Sequence, residues 1–260
     1  MIIKGVKMPS HQLTIDQLSE LNFRGLRQAY MAQCEDHTYH QMPFEERFAH
    51  LIDAEYIYRK NNRIKRYQGR ARLKYKTAHL EDLDYTPSRK LERSAIINLA
   101  NNSWIENSQN ILITGPTGTG KTFIACAIAN HAMAHGYTAY YIRISKLLSE
   151  IKLARADGSY LSFLKKLIKI KILILDDFGV SPMDAQDAQE LLEVIEDRVT
   201  IASMIITSQL PVEHWYDYID NNTIADAILD RVIHNSYRLN LQGESLRKIK
   251  STVNQNEKVK

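Results

Sequence analysis

Two hydrophobic patterns divide the chain. In residues 13–33, LTIDQLSELNFRGLRQAYMAQ, positions Leu18, Leu21, Leu26 and Tyr30 recur near the 3.6-residue period of a helix, with Ser10 or Thr14 placed to cap it. MPFEERFAHLIDAEYIYRKNNRIKRY carries the period on through Phe44, Phe48, Leu51, Ile52, Tyr56 and Tyr58, and Pro43 suits the first turn of a new helix. HLEDLDYTPSRKLERS breaks the pattern and reads as a linker, with a helix starting near Pro87. From residue 109 the texture changes. Short β-branched runs at 110–114, 138–144, 171–177, 202–208 and 236–241 alternate with amphipathic stretches such as FIACAIANHAMAHG and AQDAQELLEVIEDRV. That alternation predicts an α/β core, a five-stranded parallel sheet between helices, preceded by a small all-helical domain. The expected domains are 1–88, 89–245 and a basic tail at 246–260.

Composition narrows the class. The 260 residues (30.0 kDa) suit one large domain, or one domain and an appendage. With 44% apolar and 25% charged residues, wholesale disorder is excluded. No run reaches the ~18 apolar residues of a membrane helix. The most apolar stretch, LKKLIKIKILIL, carries four lysines and reads as a helix leading into a buried strand. The N-terminus has no apolar signal segment, and two cysteines, Cys34 and Cys126, make no disulfide framework; a reducing cytoplasm is expected. The net charge of +4 is uneven: residues 1–93 hold 17 Lys+Arg against 12 Asp+Glu, and residues 94–260 hold 17 against 18. The densest part, RKNNRIKRYQGRARLKYK, has nine basic residues and no acid: Arg59, Lys60, Arg63, Lys65, Arg66, Arg70, Arg72, Lys74 and Lys76. Interleaved with tyrosines, it is the candidate surface for duplex DNA, bound through phosphates with little base reading.

The strongest chemical signal is NILITGPTGTGKTFIACAIA. An apolar strand ends at Thr114; Gly115, Pro116, Thr117, Gly118, Thr119, Gly120, Lys121 and Thr122 follow, and a helix begins at once. This is G-x-x-x-x-G-K-[ST] in its strand–loop–helix setting. The backbone N–H groups cradle β- and γ-phosphates, Lys121 supplies a cation, and the Thr122 hydroxyl can ligate Mg²⁺. Fifty-five residues after Lys121, the run ILIL ends in Asp176 and Asp177. Carboxylates at the end of a central parallel strand lie where ligands bind. Asp176 would hold Mg²⁺, and Asp177 would orient and polarise the attacking water. The later strand ends in Thr207-Ser208-Gln209, where a polar side chain can reach toward the γ-phosphate. Arg231, in TIADAILDRVIHNS, has no acid within helical reach and must find an anion elsewhere; a neighbouring subunit's γ-phosphate would serve.

GPTGTGKT, LILDDFG, IITSQLP and AILDRVIHNSYRLNLQGESLRK, in this order and spacing, resemble the IstB/DnaC-like branch of AAA+ ATPases, and the likeness looks closer to the IstB helpers of insertion-sequence transposition than to DnaC. It covers nearly the whole chain, to about residue 250. The resemblance implies an AAA+ core, an N-terminal DNA-binding domain, ATP-dependent homo-oligomeric assembly on DNA, and a transposase partner. By the same carry-over Lys121 and Thr122 are Walker A and Asp176 with Asp177 is Walker B. Gln209 (or Ser208) is the sensor-1 position, Arg231 the arginine finger and Arg247 a candidate sensor 2. Most AAA+ proteins carry Glu where Asp177 stands, so a slow, switch-like ATPase is expected. A DnaC-like loader of a replicative helicase shares every core motif and is the alternative. A small-molecule kinase would need an acceptor-binding lid for which the inter-strand segments are too short. A non-hydrolysing DNA scaffold stays open because Asp177 is short. Smaller signals are weak. Cys34, His37 and His40 lack a second ligand pair; His131 and His135 lack the Glu of a zinc helix; Cys126 reads as core; and Trp104 is either packed or an adenine contact.

Overall fold

A computed structural model describes residues 11–246 and 248. Arg247, Ser10 and most of the 246–260 tail lie outside the described residues. The chain forms two compact units, Met1–Arg66 and Tyr67–Lys260.

In the first unit the single helix expected over 13–33 is two, α1 (His11–Glu20) and α2 (Arg24–Glu35). The break is a left-handed cap: Asn22 has φ 59°, and the Phe23 N–H reaches back to Leu18 O at 2.9 Å. Asparagine enters that region at low cost, so the helix stops where the hydrophobic period alone runs on. α3 (Phe44–Ala71) starts directly after Pro43, as expected. α2 and α3 approach closely: a Cβ on Gly25 would lie 2.6 Å from both Ala54 O and Tyr58 Cβ, so only glycine fits. Glu55, buried on α3, accepts from the Leu26 amide at 3.0 Å and pairs with Arg59 at 2.6 Å. Burial pushes the Glu55 carboxyl up, but Arg59 and the Leu26 and Gly25 amides outweigh it and hold it below its usual value. Arg59 therefore braces the unit, with its guanidinium 5.1 Å from the Phe23 ring centre.

The second unit begins at Tyr67, well before the boundary at 88/89 drawn from the sequence. Burial explains the difference: Ala71, Leu73, Ala78 and Leu83 are core residues that pack with the sheet. After them come α4 (Arg93–Ala100), α5 (Ser103–Glu106), β1 (Asn110–Thr114), α6 (Lys121–Ala134), β2 (Ala139–Arg143), α7 (Ile144–Ala156) and α8 (Tyr160–Ile168). The unit continues with β3 (Ile172–Phe178), α9 (Ala185–Glu196), β4 (Ser203–Ser208), α10 (Asn222–Ile233) and β5 (Ser236–Asn240). All five strands are parallel, in the order β2-β3-β4-β1-β5. The five apolar runs of the sequence became these strands.

Side-chain alternation divides the sheet's two faces. Ile111, Ile113, Ile172, Ile174 and Ile205 pack with α4 and α6; Leu112, Leu173, Leu175, Met204 and Ile206 pack with α7, α9 and α10. β1, β3 and β4 sit inside the sheet, so their C-terminal ends line up side by side, where Thr114, Asp176 and Ser208 emerge. No helix among the described residues is long and apolar enough to cross a membrane.

Candidate nucleotide site

The loop between β1 and α6 is the G-x-x-x-x-G-K-T segment, and no side chain caps α6 at Gly120. Its shape is imposed from two sides. Gly118 has φ 85°, and a Cβ there would lie 2.1 Å from Ser245 Oγ, so glycine is required both by backbone and by space. The Leu246 amide donates to Gly118 O at 3.0 Å. From the other side, the buried Arg89 guanidinium donates to Thr119 O and pairs with Asp84 at 3.2 Å. Inside the loop, Lys121 Nζ donates to Gly115 O at 2.6 Å and Pro116 O at 2.8 Å.

Asp176 is completely buried at the end of β3. Its Oδ1 accepts from Thr122 Oγ1 at 2.8 Å and from Thr207 Oγ1 at 2.5 Å; its Oδ2 accepts from Tyr141 Oη at 2.6 Å. Lys74 Nζ lies 3.9 Å from the same Oδ2. Burial first, and then its hydrogen bond to Asp176, pushes the Tyr141 phenol well above its ordinary range, so it stays a donor at neutral pH. Asp177 has φ 63° and sits where the β3–β4 register shifts between Leu175 and Phe178. Its amide donates to Thr207 Oγ1 at 3.3 Å, and its carboxylate lies 3.5 Å from Arg143 Nε. Gln209 Oε1 accepts from Thr117 Oγ1 at 2.7 Å, while Ser208 donates to Phe178 O at 2.7 Å and accepts from the Leu210 amide. Of the two sensor-1 candidates, Gln209 faces the loop, and Ser208 ties one strand end to the next.

Gly118, Arg89, Lys121, Thr122, Asp177 and Gln209 line one cleft of about 550 Å³, and Asp176 and Thr207 lie buried behind Thr122. Lys74, Arg89, Lys121, Arg143 and Thr122 give it a cationic and hydroxylic wall, with Asp84 and Asp177 paired to Arg89 and Arg143, and Leu83, Leu91, Phe123 and Leu246 give it an apolar one. A cleft of this size and mixed lining suits a nucleotide. The Thr122 hydroxyl and Asp176 Oδ1, 2.8 Å apart, are two hard oxygens of the kind that Mg²⁺ takes from a protein, so the donors present fit that ion.

Other sequence candidates fall elsewhere. Trp104 is a core residue whose indole donates to Leu99 O at 3.0 Å and does not line the cleft. Cys126 is buried, which pushes its thiol up to about 11. Among the described residues no cluster of His, Cys, Asp or Glu could hold a metal ion by itself, Cys34, His37 and His40 included. Arg231 has no acid within helical reach on α10, as the sequence says, but α9 supplies one: Nη2 pairs with Glu196 at 2.8 Å, and Nη1 donates to Ala227 O at 2.9 Å. It lines a separate concavity on α10, away from its own chain's loop. Of the nine basic candidates, Arg59 pairs with Glu55, Arg72 bonds Tyr140 Oη at 2.9 Å and faces Glu150, and Lys74 enters the cleft. Lys60, Arg63, Lys65, Arg66 and Arg70 are exposed on α3, and Lys76 is exposed after it.

Tyr141, Thr207, Arg89 and Arg143 are site residues that sequence reasoning did not single out. Thr207 was one of three polar residues at a strand end, and only the pairing of β3 with β4 brings it to Asp176. Tyr141 and Arg143 come from β2, which pairs with β3 so that Arg143 stands opposite Asp176.

Known proteins resemble this chain in sequence and in fold. The family model for IstB-like ATP binding proteins matches residues 16–254. The insertion sequence ATP-binding protein y4pL of Sinorhizobium fredii is 37% identical over 235 residues, 90% of this chain and 96% of the relative. The ATP-binding protein of insertion sequence IS1162 from Pseudomonas fluorescens is 42% identical over 200 residues, 77% of this chain and 87% of the relative. Among solved structures, the DnaC helicase loader superposes with a TM-score of 0.51 at 19% identity, covering 68% of this chain and 99% of that one, a likeness of fold. With an AAA+ P-loop core and a family match across nearly its whole described length, the chain belongs to the IstB-like ATP binding protein family.

Proposed function

We propose that this protein binds ATP with Mg²⁺ in the cleft, hydrolyses it slowly, and uses the nucleotide state to assemble as a homo-oligomer on duplex DNA, where it assists the transposase of an insertion sequence. The observation that carries the reading is the meeting of Thr122, Asp176 and Thr207 at the mouth of the phosphate loop, with Asp177 one residue beyond. The names of the relatives support the insertion-sequence context.

Each residue has a defined task in this reading. Amides of the loop and of the start of α6 bind phosphate oxygens, and Lys121 exchanges the Gly115 and Pro116 carbonyls for them. Thr122 and Asp176 hold the metal, which when bound neutralises charge on the β- and γ-phosphates. Asp177 orients the attacking water and takes its proton, with Gln209 beside it on the loop side. Arg231 acts on a neighbouring subunit's nucleotide. Hydrolysis weakens the assembly and releases DNA.

Asp177→Asn tests the chemistry. It keeps the left-handed backbone that Asp177 adopts and removes the base. ATP binding should persist, phosphate release should fall about 10²–10⁴-fold, and the ATP-loaded variant should stay longer on DNA. Normal phosphate release would remove Asp177 from the mechanism.

Neutralising Arg63, Lys65, Arg66 and Arg70 tests the DNA surface. Binding to unrelated duplexes should weaken alike, and the log–log salt slope should flatten by about 0.9 per lost phosphate contact. An unchanged slope would place the DNA surface elsewhere. Strand transfer by the element's transposase should rise with this protein and ATP. Unchanged strand transfer with DNA binding intact would favour a helicase partner.

A further inference from the structure

The densest basic run holds one lysine whose surroundings differ from those of the rest. Residues 71–74 alternate: Ala71 and Leu73 are buried, while Arg72 and Lys74 point out of that core. The segment that follows is pinned to α6. Cys126 is hydrogen-bonded to the backbone of Lys74 and Tyr75, the Tyr75 ring meets Phe123 edge-on at 5.7 Å, and Asn130 Nδ2 donates to Lys76 O and Ala78 O. The backbone of Lys74 is therefore held at the rim of the cleft, and its ammonium lies 3.9 Å from the buried Asp176.

The two oxygens of Asp176 have separate neighbours. Oδ1 faces Thr122 and Thr207; Oδ2 faces Tyr141 and Lys74. A divalent ion held by Thr122 and Oδ1 would leave the Oδ2 side to Lys74. Lys74 and such an ion would then share one carboxylate beside the cleft. A buried carboxylate needs such compensation, and hydroxyl donors alone leave its charge unneutralised.

We propose that Lys74 is a nucleotide-binding residue: it neutralises Asp176 and reaches the polyphosphate beside the metal, and it is not a DNA contact. The proposal rests on the nucleotide-site reading above. It has two consequences of opposite sign. Without Lys74, nucleotide binds less well when Mg²⁺ is absent, because one cation is gone. The metal binds more tightly, because it no longer shares Asp176 with a like charge.

The test uses the full chain and a fluorescent ATP analogue, titrated in chelator and then with rising Mg²⁺. Lys74→Met should weaken metal-free nucleotide binding roughly tenfold, the loss of one charge-assisted hydrogen bond, and should lower the Mg²⁺ concentration at half effect. Lys74→Arg should restore metal-free binding. If both quantities stay unchanged while the DNA salt slope falls by about 0.9, Lys74 is a DNA contact and the proposal is overturned. If both nucleotide and metal binding weaken together and Tm falls, the residue is structural and the proposal is equally overturned. If wild-type protein binds no analogue, or Lys121→Ala binds it normally, the nucleotide-site reading itself fails and takes this inference with it.

Discussion

Lys121→Ala is expected to lose nucleotide binding altogether at working concentrations, a drop of at least about a hundredfold, since charge-assisted hydrogen bonds contribute about 1.5–3 kcal/mol each. The ammonium is the group nearest the loop's interior, 2.6 and 2.8 Å from the Gly115 and Pro116 carbonyls, and nothing else in the loop carries a charge. The same two bonds mean that removing it deprives two carbonyls of a donor, so stability has to be separated from binding. Thermal unfolding does this. A ligand at 100 times its Kd stabilises the native state by about 2.7 kcal/mol. Wild-type protein should therefore melt several degrees higher with Mg-ATP, whereas Lys121→Ala should melt at one temperature with or without it. An undiminished ATP-dependent rise in the variant would show that the phosphates bind elsewhere.

Arg231→Ala should leave ATP binding by the isolated chain intact and cut assembled turnover. An arginine supplied in trans is worth on the order of 10³–10⁵ in fast systems, and a slow switch should lose less. The pair with Glu196 sets the design of the experiment. Both side chains are partly exposed, and such pairs contribute about 0–1 kcal/mol, so Arg231 can readily exchange this carboxylate for a phosphate. Glu196→Gln removes the intrachain partner and leaves the arginine. It should turn over ATP as wild type does. Mixing Arg231→Ala with Lys121→Ala should restore part of the activity, because one type of interface then joins an intact loop to an intact arginine. No recovery despite confirmed co-assembly, or equal losses in Arg231→Ala and Glu196→Gln, would make Arg231 a structural partner of α9.

What was legible in the chain was what local pattern encodes. The run ILIL before Asp176 is apolar at successive positions, so it had to be an interior parallel strand, and that alone places its carboxylates at the ligand-binding edge. The phosphate loop was readable because its glycines, lysine and threonine are contiguous. Contacts made by strand order were not readable. Tyr141 reaches Asp176 because β2 lies beside β3, and Thr207 because β4 lies on the other side. Arg89, 30 residues before Thr119, braces the loop through a segment that reads only as linker. Lys74 sits in a basic run with no acid, and charge density gives no hint that one member reaches Asp176. The partner of Arg231 was hidden for another reason: spacing along one helix says nothing of Glu196, which belongs to another. Asn22 stopped a helix that the periodicity would have continued, because a cap is set by one residue's backbone and not by a repeating face.

The left-handed φ of 63° at Asp177 bears on which substitutions this position can explore. A non-glycine residue held there costs about 1–3 kcal/mol, least for Asp and Asn, whose short polar side chains bond locally. Glutamate, the commoner AAA+ choice, would have to enter the same backbone region with a longer chain and against Arg143. Exchanging one acid for the other is then not a neutral swap between equivalent bases. Asp177→Glu is expected to lower Tm, a cost set against any gain in reach, at a position where β3 already breaks register between Leu175 and Phe178. The short acid and the irregular strand end thus belong together: the backbone that places the base also limits its length.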